Sequence, residues 1–354
     1  IGQSLVDAFH TDTRNLTVGA ATLTQPIFMG GKIIAYNKIT KYAERLAESQ
    51  HATGMQDLIL QTDQAYWQII SLVNKKKLAE NFLQLVQKLD SDVDKMIQEG
   101  VATKADGLSV KVKVNEAEMM LTQVENGLSL SKMLLCQLCG LPLDTPLRLA
   151  DEDMQDLPLP NTYTEANVST ALSNREELKS LELASEIYRQ KVNVIRADFL
   201  PSVALTANYL VTNPSLVNGF ENKFRGMWAA GIIVKIPVFH WGEGIYKVKA
   251  AKAEANIARY KLEDTKEKVE LQVTQNSYKV NESTKKLAMA EKNMEKAEEN
   301  LRYANLGFKE GVIPTSNVLE AQTAWFSAQA GKIDAQIDVK MNELYLNKSM
   351  GILK

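Results

Sequence analysis

Apolar positions along this chain recur with two periods. Between 33 and 98 they fall three and four residues apart, as in Leu78, Phe82, Leu85, Leu89, Val93 and Met96, which is the stripe of an α-helix. The surrounding residues are good helix formers. Farther along, the period is two. Val203, Leu205, Ala207, Tyr209 and Val211 make one parity, with the smaller or more polar Ala204, Thr206, Asn208 and Thr212 between them. Ala230, Ile232, Val234 and Ile236 alternate with Ala229, Gly231, Ile233 and Lys235, and Gly19, Ala21 and Leu23 with Val18, Ala20, Thr22 and Thr24. The pattern predicts long helices joined to a few strands.

Proline placement separates the two. The nine prolines, at 26, 142, 146, 158, 160, 201, 214, 237 and 314, leave 27–141 and 238–313 free of the strongest helix breaker. A helix over 33–98 would be on the order of 100 Å long at 1.5 Å per residue. Such a helix is stabilised only by lateral packing, as in a coiled-coil-like assembly.

The chain also repeats itself. Pro26-Ile27-Phe28 with Gly31 reappears as Pro237-Val238-Phe239 with Gly242, and Glu99-Gly100-Val101 as Glu310-Gly311-Val312, both displaced by 211 residues (237 − 26 and 310 − 99). One ungapped register then pairs Gln64 with Gln275, Glu80 with Glu291, Leu108 with Leu319, Ala117 with Ala328 and Gly140 with Gly351. Each unit reads as an extended segment, a glycine corner, a very long helix, a tight turn and a return helix. The first repeat is expected over 1–140, a Pro- and Asp-rich linker over 141–173, and the second repeat over 174–354. Within the linker, Pro146-Leu147-Arg148-Leu149 is strand-like, and a surface loop with no partner role fits the same residues.

Composition narrows the classes. The 354 residues are 45% hydrophobic and carry 41 Lys+Arg against 43 Asp+Glu, a net charge of -2, so there is core material but no basic excess that would suit nucleic acid. The longest uncharged stretch, between Arg14 and Lys32, holds Gly19, Pro26, Gly30 and Gly31 and is no transmembrane helix. No basic segment followed by an apolar one opens the sequence, leaving a cytoplasmic protein or a processed or cut chain. Trp228 and Trp241 bracket a strand of about ten residues, with Phe239 beside it and Phe220 and Phe224 in the preceding connection. Aromatics at both ends of an alternating strand fit a membrane β-barrel; a soluble sheet with edge aromatics fits the same alternation.

Taken in order, these segments resemble the TolC-type outer membrane efflux proteins. The resemblance is carried by Leu23-Thr24-Gln25-Pro26-Ile27-Phe28-Met29-Gly30-Gly31 and Val234-Lys235-Ile236-Pro237-Val238-Phe239-His240-Trp241-Gly242 at the corners. The turns Glu99-Gly100-Val101-Ala102-Thr103-Lys104-Ala105-Asp106 and Glu310-Gly311-Val312-Ile313-Pro314-Thr315-Ser316-Asn317-Val318-Leu319 add to it, as does Ala197-Asp198-Phe199-Leu200-Pro201-Ser202-Val203. The resemblance implies a mainly α fold with membrane β-strands: duplicated long helical hairpins forming a trimeric α-barrel, joined to a shared transmembrane β-barrel, with a small mixed belt around the helices. It implies a homotrimer in the bacterial outer membrane, in contact with its lipid, with the helical part in the periplasm. It also implies a passive exit duct working with a periplasmic adaptor (membrane fusion protein) and an inner-membrane pump, carrying small molecules, drugs or proteins. A soluble coiled-coil-like scaffold is the alternative that explains the helices but not the strands. Four strands per protomer are implied, and subtracting 211 from a helix at about 174–199 and a strand at about 200–211 places their counterparts before Ile1. The repeat therefore predicts an N-terminal truncation lacking one helix, one strand and a signal peptide, with unpaired strand edges that weaken or prevent barrel closure.

Site residues follow from the same comparison. Gly100 and Gly311 supply the tight reversals, Pro314 stiffens one, and Val101 and Val312 at the tips are implied to dock the adaptor. The two turns are expected to have no core holding them. The family carries acidic residues at a periplasmic constriction, and the matching positions are Asn317, which departs from the acidic pattern, and Glu320, with Asp106 equivalent in the first repeat. Three-fold symmetry would crowd such carboxylates, favouring cations and raising one another's pKa values. Asp106 and Asn317 also read as helix N-caps, whereas Glu320 lies too far into its helix to cap it. Trp228, Phe239 and Trp241 are expected at the membrane interface.

Other residues invite competing chemistry. Cys136-Gln137-Leu138-Cys139 has redox-motif spacing, but it ends an apolar helix with no strand leading in, and packing is the expected role. His10, His51 and His240 lack ligand spacing, Gly30-Gly31 lacks the lysine of a phosphate loop, and Lys75-Lys76-Lys77 reads as a solvated helix face. Neither a catalytic constellation nor a cofactor or metal site is expected.

Overall fold

Strand β1 (Thr17–Met29) passes through a corner at Gly30 and Gly31 into helix α1 (Lys32–Gln98), and the turn at Gly100 leads to helix α2 (Lys104–Leu138). Later come α3 (Val168–Asn174), α4 (Glu176–Ala197), β2 (Ser202–Asn213), β3 (Arg225–Lys235), α5 (Glu243–Lys309) and α6 (Thr315–Ser349). A computed structural model describes residues 16–153, 166–215 and 222–353. His10, Asp156, Pro158, Pro160 and Phe220, all noted in the sequence, lie outside the described residues.

The internal repeat is reproduced in backbone geometry. Helices α1 and α5 are each 67 residues long, α2 and α6 each 35, and each pair is displaced by 211 (243 − 32 and 315 − 104). Left-handed residues recur at the same offset: Gly31 (φ 85°) with Gly242 (79°), Gly100 (75°) with Gly311 (70°), and Gly140 (70°) with Gly351 (68°). At the first corner residue, Gly30 (φ 57°) corresponds to Trp241 (φ 46°). A Cβ on Gly30 would lie 2.7 Å from Leu200 Cβ and 2.9 Å from the Ala197 carbonyl, so glycine is required there by space as well as conformation. Trp241 has the same backbone turn with its side chain 90% exposed.

By their internal contacts the residues fall into two compact units, Ile1–Glu48 with Lys179–Glu263 and Ser49–Leu178 with Asp264–Lys354. The first contains an antiparallel sheet in the order β1-β2-β3. Its register aligns the apolar parities: Leu205 faces Ile232, Val203 faces Val234, Ala207 faces both Leu23 and Ala230, and Tyr209 faces Trp228. One face is thus predominantly apolar, interrupted by Gln25 opposite Leu205, while Thr22, Thr24, Thr206 and Asn208 share the other. A register shift between Pro26 and Phe28 bends β1 just before the corner. There Lys32 Nζ donates to Asp198 at 2.6 Å, clamping the start of α1 to the end of α4.

In the second unit both hairpins contribute to one core. Phe82, Val86, Leu89 and Val93 of α1, Val110 and Ala117 of α2, and Val318 of α6 form a buried cluster, against which Phe308 and Ile313 pack. Each fully buried Val, Leu or Phe of this cluster stabilises by about 1.5–3 kcal/mol. Ile97 and Ala102 also lie on this cluster, so the turns do have a core, contrary to the sequence expectation. The periodicity of either helix alone does not reveal a partner hundreds of residues away.

Two further expectations are corrected. The lysine run is not a solvated face: Lys75 pairs with Asp334 at 2.6 Å, Lys76 with Glu125 at 2.8 Å, and Lys77 Nζ donates to the Glu152 carbonyl at 2.9 Å. Successive helical residues point about 100° apart, so three neighbours reach α6, α2 and the linker separately. Pro146-Leu147-Arg148-Leu149 forms no strand; Leu147 and Leu149 pack on the cluster of Ala65, Ile69 and Leu135, and Lys132 Nζ takes the Leu147 carbonyl at 2.9 Å. The helix expected over about 174–199 is present as α4; Arg175, whose buried guanidinium donates to Gln272 at 2.6 Å and pairs with Glu177, separates it from the short α3.

Candidate functional site

Both tip turns are the same helix stop. Val101 N–H donates to the Met96 carbonyl at 2.8 Å and Gly100 N–H to Ile97 at 3.1 Å; Val312 donates to Gly307 at 2.8 Å and Gly311 to Phe308 at 3.0 Å. This is the Schellman pattern, which satisfies two orphan carbonyls and needs a left-handed residue at the glycine. Nothing lies within 4 Å of a Cβ placed on Gly100 or Gly311, so their requirement is conformational. Val101 (70% exposed) and Val312 (79% exposed) present apolar side chains to solvent just past the stops. Pro314 is the N-cap of α6 and makes no side-chain capping bond.

The entrance candidates have distinct surroundings. Asp106 is not an N-cap: the cap is Thr103, whose hydroxyl accepts from Asp106 N–H at 3.2 Å while the Asp106 carboxylate accepts from Thr103 N–H at 3.0 Å. This reciprocal pair is a capping box, whose signal in the sequence is a threonine three residues ahead of an acid, Thr103-Lys104-Ala105-Asp106. The Thr103 hydroxyl, followed by the Thr103 backbone N–H, holds the Asp106 carboxyl below the usual range. Asn317 is not an N-cap either; it is exposed in the first turn of α6, and its N–H donates to the Pro314 carbonyl at 3.1 Å. Glu320 is exposed beside Lys113, Leu319 and Thr323. The shared cluster of Val110 and Val318 brings the starts of α2 and α6 together, and with them the two turns.

The aromatics flank the sheet's third strand. Trp228 lies opposite Tyr209 near the start of β3, and Phe239 and Trp241 follow its end with ring centroids 5.0 Å apart. Trp228, Phe239 and Trp241 are all strongly exposed. Tyr209 lies over Gly226, where an added Cβ would meet its hydroxyl at 2.1 Å. A face of Leu205, Ile232 and Val234 exposed to solvent on this scale is suited to hydrocarbon. Among the described residues no helix is long and apolar enough to cross a membrane. Cys136 is buried with its thiol 3.8 Å from the Thr145 carbonyl, and Cys139 is the exposed C-cap of α2.

Duplicated helical hairpins attached to a sheet with an exposed apolar face define the class of outer-membrane channel proteins. The comparisons agree. The family model described as "Outer membrane efflux protein" matches residues 167–352. The alkaline protease secretion protein AprF of Pseudomonas aeruginosa is 25% identical over 351 residues, covering 95% of this chain and 72% of AprF. The outer membrane protein TolC of Vibrio cholerae is 23% identical over 354 residues, covering 96% of this chain and 77% of TolC. The crystal structure of the outer membrane protein VceC from Vibrio cholerae superposes with a TM-score of 0.78 at 18% identity, covering 96% of this chain and 87% of VceC, a likeness of fold. This chain belongs to the outer membrane efflux protein family. It is a bacterial outer-membrane channel protein of the TolC type.

Proposed function

We propose that this chain is one protomer of a homotrimeric exit duct that takes solutes from a periplasmic adaptor and an inner-membrane pump and passes them outward without chemistry of its own. The observation that carries this reading is the pairing, in one chain, of a lipid-suited sheet with two 67-residue helices, the second of which leaves apolar side chains exposed along its length. On α5, Ile257, Leu271 and Tyr278 are exposed at heptad spacing, and Met289 and Tyr303 follow. Such a seam on a long helix calls for lateral neighbours. Further copies of the same chain supply them by rotational symmetry and enclose a lumen.

Within that duct the tips at Gly100, Val101, Gly311, Val312 and Pro314 are the adaptor-docking points. Glu320 is the leading entrance carboxylate, because Asp106 is engaged in its capping box and Asn317 carries no charge. Trp228, Phe239 and Trp241 anchor the sheet at the membrane interface. The names of the relatives span secretion and efflux, so the cargo is set by the pump that the duct joins. The test is reconstitution of the full-length protein in a planar bilayer, with its mass measured in detergent, and deletion of its gene. Trimer-sized particles, a water-filled conductance and drug sensitivity or loss of a secreted protein on deletion are expected; a monomer without conductance would overturn the duct.

A further inference from the structure

A groove of about 610 Å³ opens beside the corner that follows β3, between the end of α4 and the first turns of α5. Its walls are of two kinds. Phe199, Val238 and Ile245 are apolar; Arg196, Lys249 and Lys252 are cationic, and no Asp or Glu lines it. Ile245, Lys249 and Lys252 fall at i, i+4 and i+7 of α5 and so share one face of that helix. Phe199 can sit against α5 because residue 244 is glycine: a Cβ there would lie 2.9 Å from the Phe199 ring.

The charges in the groove are surplus. Nearby Lys32 is paired with Asp198 and Lys247 with Glu243, both at 2.6 Å. Arg196, Lys249 and Lys252 have no carboxylate partner among the described residues; Lys249 only lies 5.7 Å from the centroid of the Tyr246 ring. Three unneutralised cations beside an apolar wall match an amphiphile with an anionic head. The groove also adjoins the exposed pair Phe239 and Trp241 just beyond the lipid-suited sheet, the level where headgroups begin.

We infer that this groove binds an anionic glycerophospholipid, with its phosphate between Arg196, Lys249 and Lys252 and the first carbons of its acyl chain along Phe199, Val238 and Ile245. Basic side chains near a bilayer surface favour anionic lipid. An apolar wall in the same groove distinguishes lipid from free phosphate, and the cations distinguish it from a zwitterionic lipid. The bound lipid fastens the strand-to-helix corner to the leaflet. This inference rests on the outer-membrane reading.

The experiment uses the full-length protein in phosphatidylcholine nanodiscs containing phosphatidylglycerol, with lipid retained through native mass spectrometry as the readout. Phosphatidylglycerol should be enriched over phosphatidylcholine in the wild type. The triple variant Arg196→Gln, Lys249→Gln, Lys252→Gln should retain it about tenfold less, whereas Lys247→Gln, which removes a paired cation outside the groove, should not change it. Inorganic phosphate at millimolar level should not displace the lipid. A second readout, quenching of tryptophan fluorescence by chain-brominated phosphatidylglycerol, should fall in the triple variant at unchanged helical content. Equal retention by wild type and triple variant, displacement by phosphate, or loss of assembly in the triple variant with lipid retention unaltered, as expected if a second copy fills the groove, would each overturn the lipid site. Failure of the wild type to enter the nanodisc at all would instead count against the outer-membrane reading.

Discussion

The rings of Phe82 and Phe326 meet with centroids 4.7 Å apart and planes inclined at 40°, joining α1 of the first repeat to α6 of the second. Phe82 is almost fully buried in the cluster shared by both hairpins. Phe82→Ala should destabilise the helical unit by about 3–5 kcal/mol, and a double-mutant cycle with Phe326→Ala should show coupling of about 0.5–1.5 kcal/mol. Chemical denaturation followed by circular dichroism checks both; additive effects would mean that the rings are mere neighbours.

The tip residues separate into conformational and surface roles. Gly100→Ala and Gly311→Ala should each cost about 1–2 kcal/mol through the left-handed backbone, although no atom obstructs the new Cβ. Val101→Asp and Val312→Asp change exposed side chains and should leave thermal stability within about 0.5 kcal/mol. If the tips dock an adaptor, the aspartates abolish transport at normal trimer levels, measured by drug susceptibility; retained resistance would refute docking at these positions.

Asp106 and Glu320 should part company with pH. The Asp106 carboxyl is depressed by its bonds to Thr103, so the stability it lends is present above the unfolded value of about 3.9 and is lost as pH falls through the lower folded value. Asp106→Ala should therefore cost about 1 kcal/mol at neutral pH and progressively less as pH falls through the folded value, read from melting curves. Glu320→Ala should leave stability unchanged and reduce cation selectivity in single-channel recordings. Unaltered selectivity would remove Glu320 from the entrance.

The two faces of the sheet should respond oppositely to charge. Ile232→Arg, on the face shared with Leu205, should cost about 2–4 kcal/mol of stability in a bilayer. Thr206→Arg, on the face shared with Thr22, Thr24 and Asn208, should be tolerated. Equal losses, scored by heat-resistant assembly in lipid, would contradict the assignment of faces.

The lysine ties are weak singly. Lys76 and Glu125 are both partly exposed, so Lys76→Gln should cost less than about 1 kcal/mol, and the cost should vanish in about 1 M salt. A salt-independent loss would show that Lys76 acts through packing of its methylene stem.

Much of the architecture was legible in advance because it is written locally and twice. A glycine that must be left-handed, a proline ahead of a corner and an alternation of period two each act over a few residues, and the displacement of 211 made each visible a second time. The matched lengths of α1 with α5 and of α2 with α6 follow from that duplication. The resemblance of the corner and turn segments then tied these elements to one family.

What the sequence by itself determined is the repeated elements, their boundaries at Gly31, Gly100, Gly140, Gly242, Gly311 and Gly351, and the parity of each strand. Tertiary structure alone decided which side chains meet. That Lys75, Lys76 and Lys77 reach three different partners, that Val110 and Val318 share a core, and that Leu205 falls opposite Ile232 depend on register and helix rotation between distant segments. Local propensity is silent on those quantities. Packing and pairing settle them, since one rotation of each helix buries its core residues and one slip of each strand aligns the apolar parities on a single face.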